Sequence, residues 1–182
     1  MNRILVLSLA GSIAVTLPAD AAEKKFDPCS LLTASEIQAV QADRVASTKG
    51  NEPERDRFAV SQCFYTLATF SKSISLEVTR RRPTDAEGPR SYWRQMFGRA
   101  LEKEKETGQR EGRPGEEEKR SSPPQRVEGV GDDAYWVGPP IVGGLYVLKE
   151  DTYFRLSVGG PESEAVKIEK LKKLARRVLR RL

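Results

Sequence analysis

Several of the side chains and motifs that commonly carry out enzymatic chemistry are absent from this chain of 182 residues. There is no histidine, which excludes an imidazole general base, the triads that depend on one, and metal sites with histidine ligands. The GxSxG nucleophile elbow, the phosphate-binding GxxxxGKS/T loop and the GxGxxG dinucleotide motif do not occur either. The chain does offer carboxylates, on 26 acidic residues, and one pair of cysteines.

The first 22 residues have the features of a secretory signal peptide. Arg3 precedes an uncharged, mostly apolar stretch over residues 4–17, and Ala19-Asp20-Ala21 supplies the small-x-small pattern of a cleavage site. A permanent membrane anchor needs about 20 apolar residues, so this stretch is too short for one. The alternative is a buried N-terminal strand or helix. We expect an exported protein, periplasmic or secreted, with a mature chain of residues 23–182 and no transmembrane segment.

The two cysteines, Cys29 and Cys63, are predicted to form a disulfide, because an even pair in an exported protein meets an oxidising environment. The bridge would close a loop of about 35 residues, which the chain-entropy model values at about 3 to 4 kcal/mol. The alternative is a redox-active or metal-binding thiol pair, but the chain has no CxxC motif and no further cluster of soft ligands. We predict no metal site and no cofactor.

Two adjacent carboxylates, Asp132 and Asp133, are the candidates for acid–base catalysis. Carboxylate pairs hydrolyse glycosidic bonds, so a carboxylate-dependent hydrolase that acts on envelope polymers is one interpretation of the sequence. Most other acidic residues lie in dense runs of mixed charge, which are typical of solvated surface. We therefore assign no catalytic residues and favour a binding or interaction domain in the periplasm or cell envelope.

Three neighbouring residues, Asp132, Tyr135 and Trp136, could line a ligand-binding cleft, since aromatic faces beside a carboxylate in a turn suit sugars or peptides. Successive residues of a strand point to opposite sides of the sheet. At most one of Tyr135 and Trp136 can therefore face any one cleft, and the other is expected in the core.

A second candidate site is a basic face near the end of the chain, formed by Lys172, Lys173, Arg176 and Arg177. Such a face could bind an anionic envelope component or an acidic protein partner. The alternative is an ordinary packed surface helix, whose cations complement the helix dipole and lie opposite an apolar stripe. Nucleic acid is not an expected partner.

The elements that must position these residues follow from hydrophobic spacing and capping signals. Thr33 and Glu36 form a capping box in front of a helix over residues 34–41. Strands are predicted over residues 58–67, 73–80, 134–137, 145–148 and 153–158, and amphipathic helices from about Ser91 and from Pro161. This order predicts an α+β fold, in which an antiparallel sheet of about five strands carries three helices, mainly on one face.

The mature chain is long enough for one domain with a single core, over residues 23–182. Residues 102–126 interrupt it, because they contain many charged residues, several Gly and Pro, and no large apolar side chain. Such a composition cannot build a core. We expect a charged, disordered insertion at the surface.

Short motifs stand in both halves of the mature chain: DPCSLLT at 27–33 with Glu36 and Ile37, SQCFY at 61–65, GVGDDAYW at 129–136, and Leu174-Ala175 in the last helix. In these motifs the chain resembles a family of bacterial exported domains known as domain of unknown function 3558. The resemblance implies a secreted or envelope domain with paired cysteines, and it implies no activity. Many members carry a lipid-attachment cysteine that this chain lacks.

Overall fold

A computed structural model describes residues 26–107, 123–139 and 142–182. The predicted signal peptide, residues 1–22, lies outside the described residues, and so do residues 108–122 of the predicted charged insertion. The two ends of that insertion have regular structure. Residues 102–107 continue a helix, and Gln125–Arg126 form a short strand.

The described residues form three α-helices and seven strands. The helices are α1 (Ala34–Gln41), α2 (Pro89–Thr107) and α3 (Glu164–Leu179). The strands are β1 (Val45–Asn51), β2 (Ala59–Leu67), β3 (Ile74–Arg80), β4 (Gln125–Arg126), β5 (Asp133–Val137), β6 (Gly144–Lys149) and β7 (Thr152–Val158). Short 3-10 turns occupy Pro28–Leu31 and Phe70–Lys72.

All seven strands belong to one sheet, in the order β1-β2-β3-β7-β6-β5-β4, and every pairing is antiparallel. The pairing of β3 with β7 joins the first half of the chain to the second, with Leu76 opposite Leu156 and Val78 opposite Phe154. These apolar side chains alternate with polar ones, as the period of a strand requires. The α+β class and the antiparallel sheet are therefore confirmed.

The sheet has two more strands than the approximate number predicted. β1 gave no sequence signal, because Val45 is half-buried and the six residues after it are exposed. β4 is only two residues long. Both lie at edges of the sheet, where a strand gains little from burial, and hydrophobic alternation is correspondingly weak.

The predicted start of the last helix at Pro161 was wrong, since α3 begins at Glu164 with Ser163 as its N-cap residue. Ser163 has an extended backbone, and Gly160 adopts a φ of 122° that only glycine tolerates easily. Pro161 and Glu162 belong to this connection. The Glu162 carboxylate forms an ion pair with Lys170, which lies in the second turn of α3.

Apolar side chains are buried on both faces of the sheet. The first face carries α1 and α3, whose Ile37, Leu171 and Leu174 pack with the strand residues Leu76 and Phe154. The second face carries α2, whose large side chains pack with those of β5, β6 and β7: Trp93, Phe97, Tyr135, Leu148 and Tyr153. Two of the three helices thus share one face, and α2 lies on the other.

Cys29 and Cys63 form the predicted disulfide, with an S–S distance of 2.04 Å. The bridge links the 3-10 turn before α1 to the buried side of β2. The hydroxyl of Tyr65 on the same strand donates a hydrogen bond of 3.2 Å to the carbonyl of Cys29. The segment that leads into α1 is therefore fixed to the sheet by a covalent bond and a hydrogen bond.

Within the described parts of the chain, none of the helices combines the length and the apolar character needed to cross a bilayer.

Candidate functional site

The basic residues near the end of the chain are positioned by α3. Leu171, Leu174 and Val178 recur at a spacing of three or four residues and are fully buried against the first face of the sheet. The opposite side of the helix is exposed and carries most of the cations. Arg176 and Arg177 lie in the last turn, where positive charge is favoured by the helix dipole.

Helix α1 lies beside α3 and starts at the predicted capping box. The Thr33 hydroxyl accepts a hydrogen bond of 3.3 Å from the Glu36 amide, and Glu36 Oε2 accepts one of 3.0 Å from the Thr33 amide. At the other end of α1, Lys170 Nζ donates to Gln41 Oε1 at 2.9 Å. Because Glu36 contacts Arg181, the two helices run antiparallel.

A groove of about 460 Å³ runs between the exposed sides of α1 and α3. Ala39 and Val40 give it apolar walls. Four cations, which together we call the cations of the basic groove, line it as well: Lys173, Arg176, Arg177 and Arg180. They occupy positions i, i+3, i+4 and i+7, which bring side chains to one side of a helix over a length of about 10 Å.

Glu36 supplies the carboxylate that faces these cations. Arg181 Nη2 lies 2.8 Å from Glu36 Oε1, and Arg177 Nε lies 3.6 Å from the same oxygen. The hydrogen bond from Arg181, together with those from Thr33, lowers the pKa of Glu36 to about 2, although partial burial opposes the shift. Glu36 is therefore ionised at neutral pH and neutralises part of the groove.

The other cations of the basic groove are less engaged. Arg176 donates a long hydrogen bond of 3.4 Å to the carbonyl of Gly129. The side chains of Lys173 and Arg180 have no hydrogen bond or ion pair with any described residue. Both are exposed, so their charges are available to a ligand.

The structure brings three of the four predicted basic residues into the groove. Lys172 is the exception, because its Nζ donates to Glu169 at 3.1 Å on the same helix and it does not line the groove. Arg180 was not predicted to belong to the site, although it lies seven residues after Lys173, on the same side of the helix. The role of Glu36 was not predicted either, because its partner Arg181 lies 145 residues away in the chain.

The predicted cleft residues are not brought together on one surface. Tyr135 is fully buried on the second face, where its ring stacks on Phe97 with centroids 4.6 Å apart. Trp136 is 3% exposed and packs in the core of the first face. The expectation that the two rings point to opposite sides of the sheet matches this arrangement, and both of them lie in cores. Their role in ligand binding stays a prediction.

Asp132 and Asp133 contact residues that fix α2 to the sheet. Arg90 Nη2 lies 2.7 Å from the Asp132 carboxylate, and Trp93 Nε1 donates to Asp133 at 3.0 Å. The pKa of Asp132 is lowered, first by the hydrogen bond from the Glu150 amide and then by Lys149 and Arg90. A general acid needs the opposite shift, so this environment favours a structural role for Asp132 over an acid in hydrolysis.

No protein-family model, curated protein or solved structure matches the chain. The resemblance to the family of exported domains stays a prediction.

Proposed function

We propose that this chain is an exported binding domain, which acts in the periplasm or cell envelope or after secretion and binds an anionic envelope component in the basic groove. The observation that carries the proposal is a pair of exposed cations that line the groove, Lys173 and Arg180. Neither side chain has a hydrogen bond or an ion pair with a described residue. The disulfide supports export, because such bonds persist in oxidising compartments.

The groove favours an anionic group that enters between the helices. Its cations outnumber its one carboxylate, Glu36, and that carboxylate is already shared by Arg177 and Arg181. A ligand phosphate or carboxylate would complete the pairing of Lys173 and Arg180, and charge-assisted hydrogen bonds of this kind are stronger than neutral ones. The same chemistry is offered by anionic lipid headgroups and by soluble acidic polymers.

The experiment compares two probes, vesicles that contain 30 mol% phosphatidylglycerol and soluble polyphosphate. Protein purified after expression of the full chain is titrated with each at low salt. Near an anionic surface each cation contributes about 1 kcal/mol, so Lys173→Gln combined with Arg180→Gln should weaken binding about 30-fold. Binding to vesicles alone indicates a lipid headgroup, and binding to polyphosphate alone indicates a polymer.

The matched control is Arg55→Gln combined with Arg94→Gln, which removes the same net charge from exposed positions outside the groove. This variant should bind within about twofold of the unmodified protein, because its groove is intact. Equal losses in both double variants would show that net charge drives binding and would overturn the groove as the site. Absence of binding to both probes at low salt would overturn the proposal itself.

A further inference from the structure

The second face of the sheet is only partly covered by α2. The helix packs over Tyr135, Leu148 and Tyr153, and no helix of the described residues covers the same face of β1, β2 and β3. The side chains left there, with those of neighbouring β7, form what we call the open sheet surface, a depression of about 430 Å³. Its members include Lys49, Asn51, Gln62, Phe64, Glu77 and Arg155.

The strand register arranges these side chains in two neighbouring rows. Lys49 lies opposite Phe64, and Phe64 lies opposite Ser75. The next row runs from Asn51 through Gln62 and Glu77 to Arg155, each opposite the one before it. Residues that are opposite each other in an antiparallel sheet lie close together on one face. The rows therefore form one continuous polar surface across four strands.

Aromatic side chains stand at one side of this surface. Phe64 is 38% exposed, and Phe70 in the 3-10 turn before β3 is 71% exposed. Their ring centroids lie 6.3 Å apart at an interplanar angle of 49°. The apolar C–H face of a pyranose ring can stack on such rings. This contact is favourable because it removes apolar surface from water.

Arg155 is the second distinctive group of the surface. Its guanidinium lies over the ring of Tyr146, 5.8 Å from the centroid, and makes no hydrogen bond or ion pair with a described residue. Gly144 leaves room for it, because a Cβ there would lie 2.8 Å from Arg155 Nε. The Glu77 carboxylate opposite on β3 already accepts a hydrogen bond from Gln62. The planar donors of Arg155 are thus available for a carboxylate from a ligand.

We propose that the open sheet surface binds an acidic oligosaccharide, with one pyranose ring stacked on Phe64 and Phe70 and a carboxylate of another unit paired with Arg155. Phe64 and Arg155 are two strands and one row apart, about 12 Å between Cα atoms, so the ligand must span more than one sugar unit. The side-chain amides of Asn51 and Gln62 and the carboxylate of Glu77 form hydrogen bonds with hydroxyl groups of the oligosaccharide.

An extended peptide fits this surface less well. Peptides that add to a sheet pair with the backbone of an edge strand and gain specificity from pockets for alternate side chains. Apart from Phe64, the second-face side chains of the open sheet surface are polar or charged. The positive charges of Lys49 and Arg155 and the density of planar polar groups match an acidic, hydroxyl-rich ligand instead.

The test uses a glucuronic acid hexasaccharide and the same hexasaccharide with its carboxylates reduced to alcohols, in titration calorimetry with protein purified after expression of the full chain. Arg155→Gln should weaken binding of the acidic ligand at least tenfold and leave binding of the reduced ligand unchanged. Phe70→Ser should weaken both. Matched controls are Arg94→Gln and Val142→Ser, which change an exposed cation and a 67% exposed apolar residue elsewhere.

Loss of binding by Lys173→Gln with Arg180→Gln would assign the saccharide to the basic groove and overturn this proposal. If that variant still binds the acidic hexasaccharide, the saccharide site is distinct from the basic groove, whether or not the protein binds vesicles. If the unmodified protein binds neither hexasaccharide, or if Arg155→Gln keeps full affinity for the acidic one, the open sheet surface is not a saccharide site. Tighter binding of a hexaglutamate peptide with the same dependence on Arg155 would replace the saccharide by an acidic peptide.

Discussion

Replacing Glu36 by glutamine removes one negative charge from the basic groove while keeping the local structure of α1. Glutamine can fill the same position of a capping box, so the hydrogen bond from the Thr33 amide is retained. What is lost is the attraction between the carboxylate and two arginines, Arg177 and Arg181. The variant therefore isolates the contribution of charge.

The size of the effect follows from the pKa of Glu36. A decrease from 4.5 to about 2 corresponds to about 3.4 kcal/mol if it is converted in full. The side chain of Arg177 is 52% exposed and that of Arg181 is 35% exposed, so solvent screening reduces this value. We expect Glu36→Gln to lower the free energy of unfolding by about 1 to 2 kcal/mol at pH 7.

The effect must depend on pH in a defined direction. The folded state lowers the pKa of Glu36, so its stabilisation is complete above pH 4.5 and is lost as the pH falls toward 2. Urea denaturation of the unmodified protein and of Glu36→Gln at pH 7, 5, 4 and 3 should show a difference in unfolding free energy that shrinks below pH 4.5. A difference that stays constant down to pH 3 would refute the electrostatic argument.

The same variant tests the groove. With Glu36 neutral, Arg177 and Arg181 lose their internal anion, so phosphatidylglycerol vesicles or polyphosphate should bind several-fold more tightly. Stability and affinity are then expected to change in opposite directions. A variant that is less stable and also binds more weakly would show that Glu36 only shapes the groove.

Two further predictions concern stability. Replacing Cys29 and Cys63 by serine should lower the unfolding free energy by about 4 kcal/mol, the chain-entropy value for a loop of this length. Reduced unmodified protein should match that variant, and a loss below about 1 kcal/mol would contradict the model. Gln41→Leu should cost about 2 to 4 kcal/mol, because two loop carbonyls and Lys170 lose a buried partner. The exposed Gln38→Leu on the same helix is the control, and equal losses in both would be evidence against this role.

Local signals were enough to predict the elements that build the core. The capping box at Thr33 and Glu36 located α1, and alternation of Ile74, Leu76 and Val78 located β3. In each case the pattern that reveals the element lies within the element or directly beside it. The fold class followed, because amphipathic helices and half-buried strands leave few ways to arrange their apolar sides.

The features that were not predicted depend on contacts between distant parts of the chain. Val45–Asn51 becomes a strand because it pairs with β2, and its exposed side chains carry no alternation. The basic groove requires Glu36 and Arg181 to meet across 145 residues. The spacing of Lys173 and Arg180 was visible in the sequence, and so was helix α1, but the packing of α1 beside these cations was not.

The placement of Asp132, Tyr135 and Trp136 shows why an aromatic pair beside a carboxylate was a weak guide to function here. The two rings are buried on opposite sides of β5, and Asp132 is held by Arg90 and a backbone amide. These contacts orient α2, and the length over which α2 packs decides how much of the second face stays open. Two of the residues that were predicted to bind a ligand, Asp132 and Tyr135, therefore help to set the boundary of the open sheet surface.

The two proposed binding surfaces lie on opposite sides of the sheet. The basic groove is built on helices of the first face, and the open sheet surface belongs to the second. Side chains of Leu76 and Phe154 fill the core between the sheet and α3, so a ligand on one surface cannot contact a ligand on the other. Saturating the groove with polyphosphate should consequently leave the affinity for an acidic hexasaccharide unchanged, whereas competition between the two ligands would mean that they share one site.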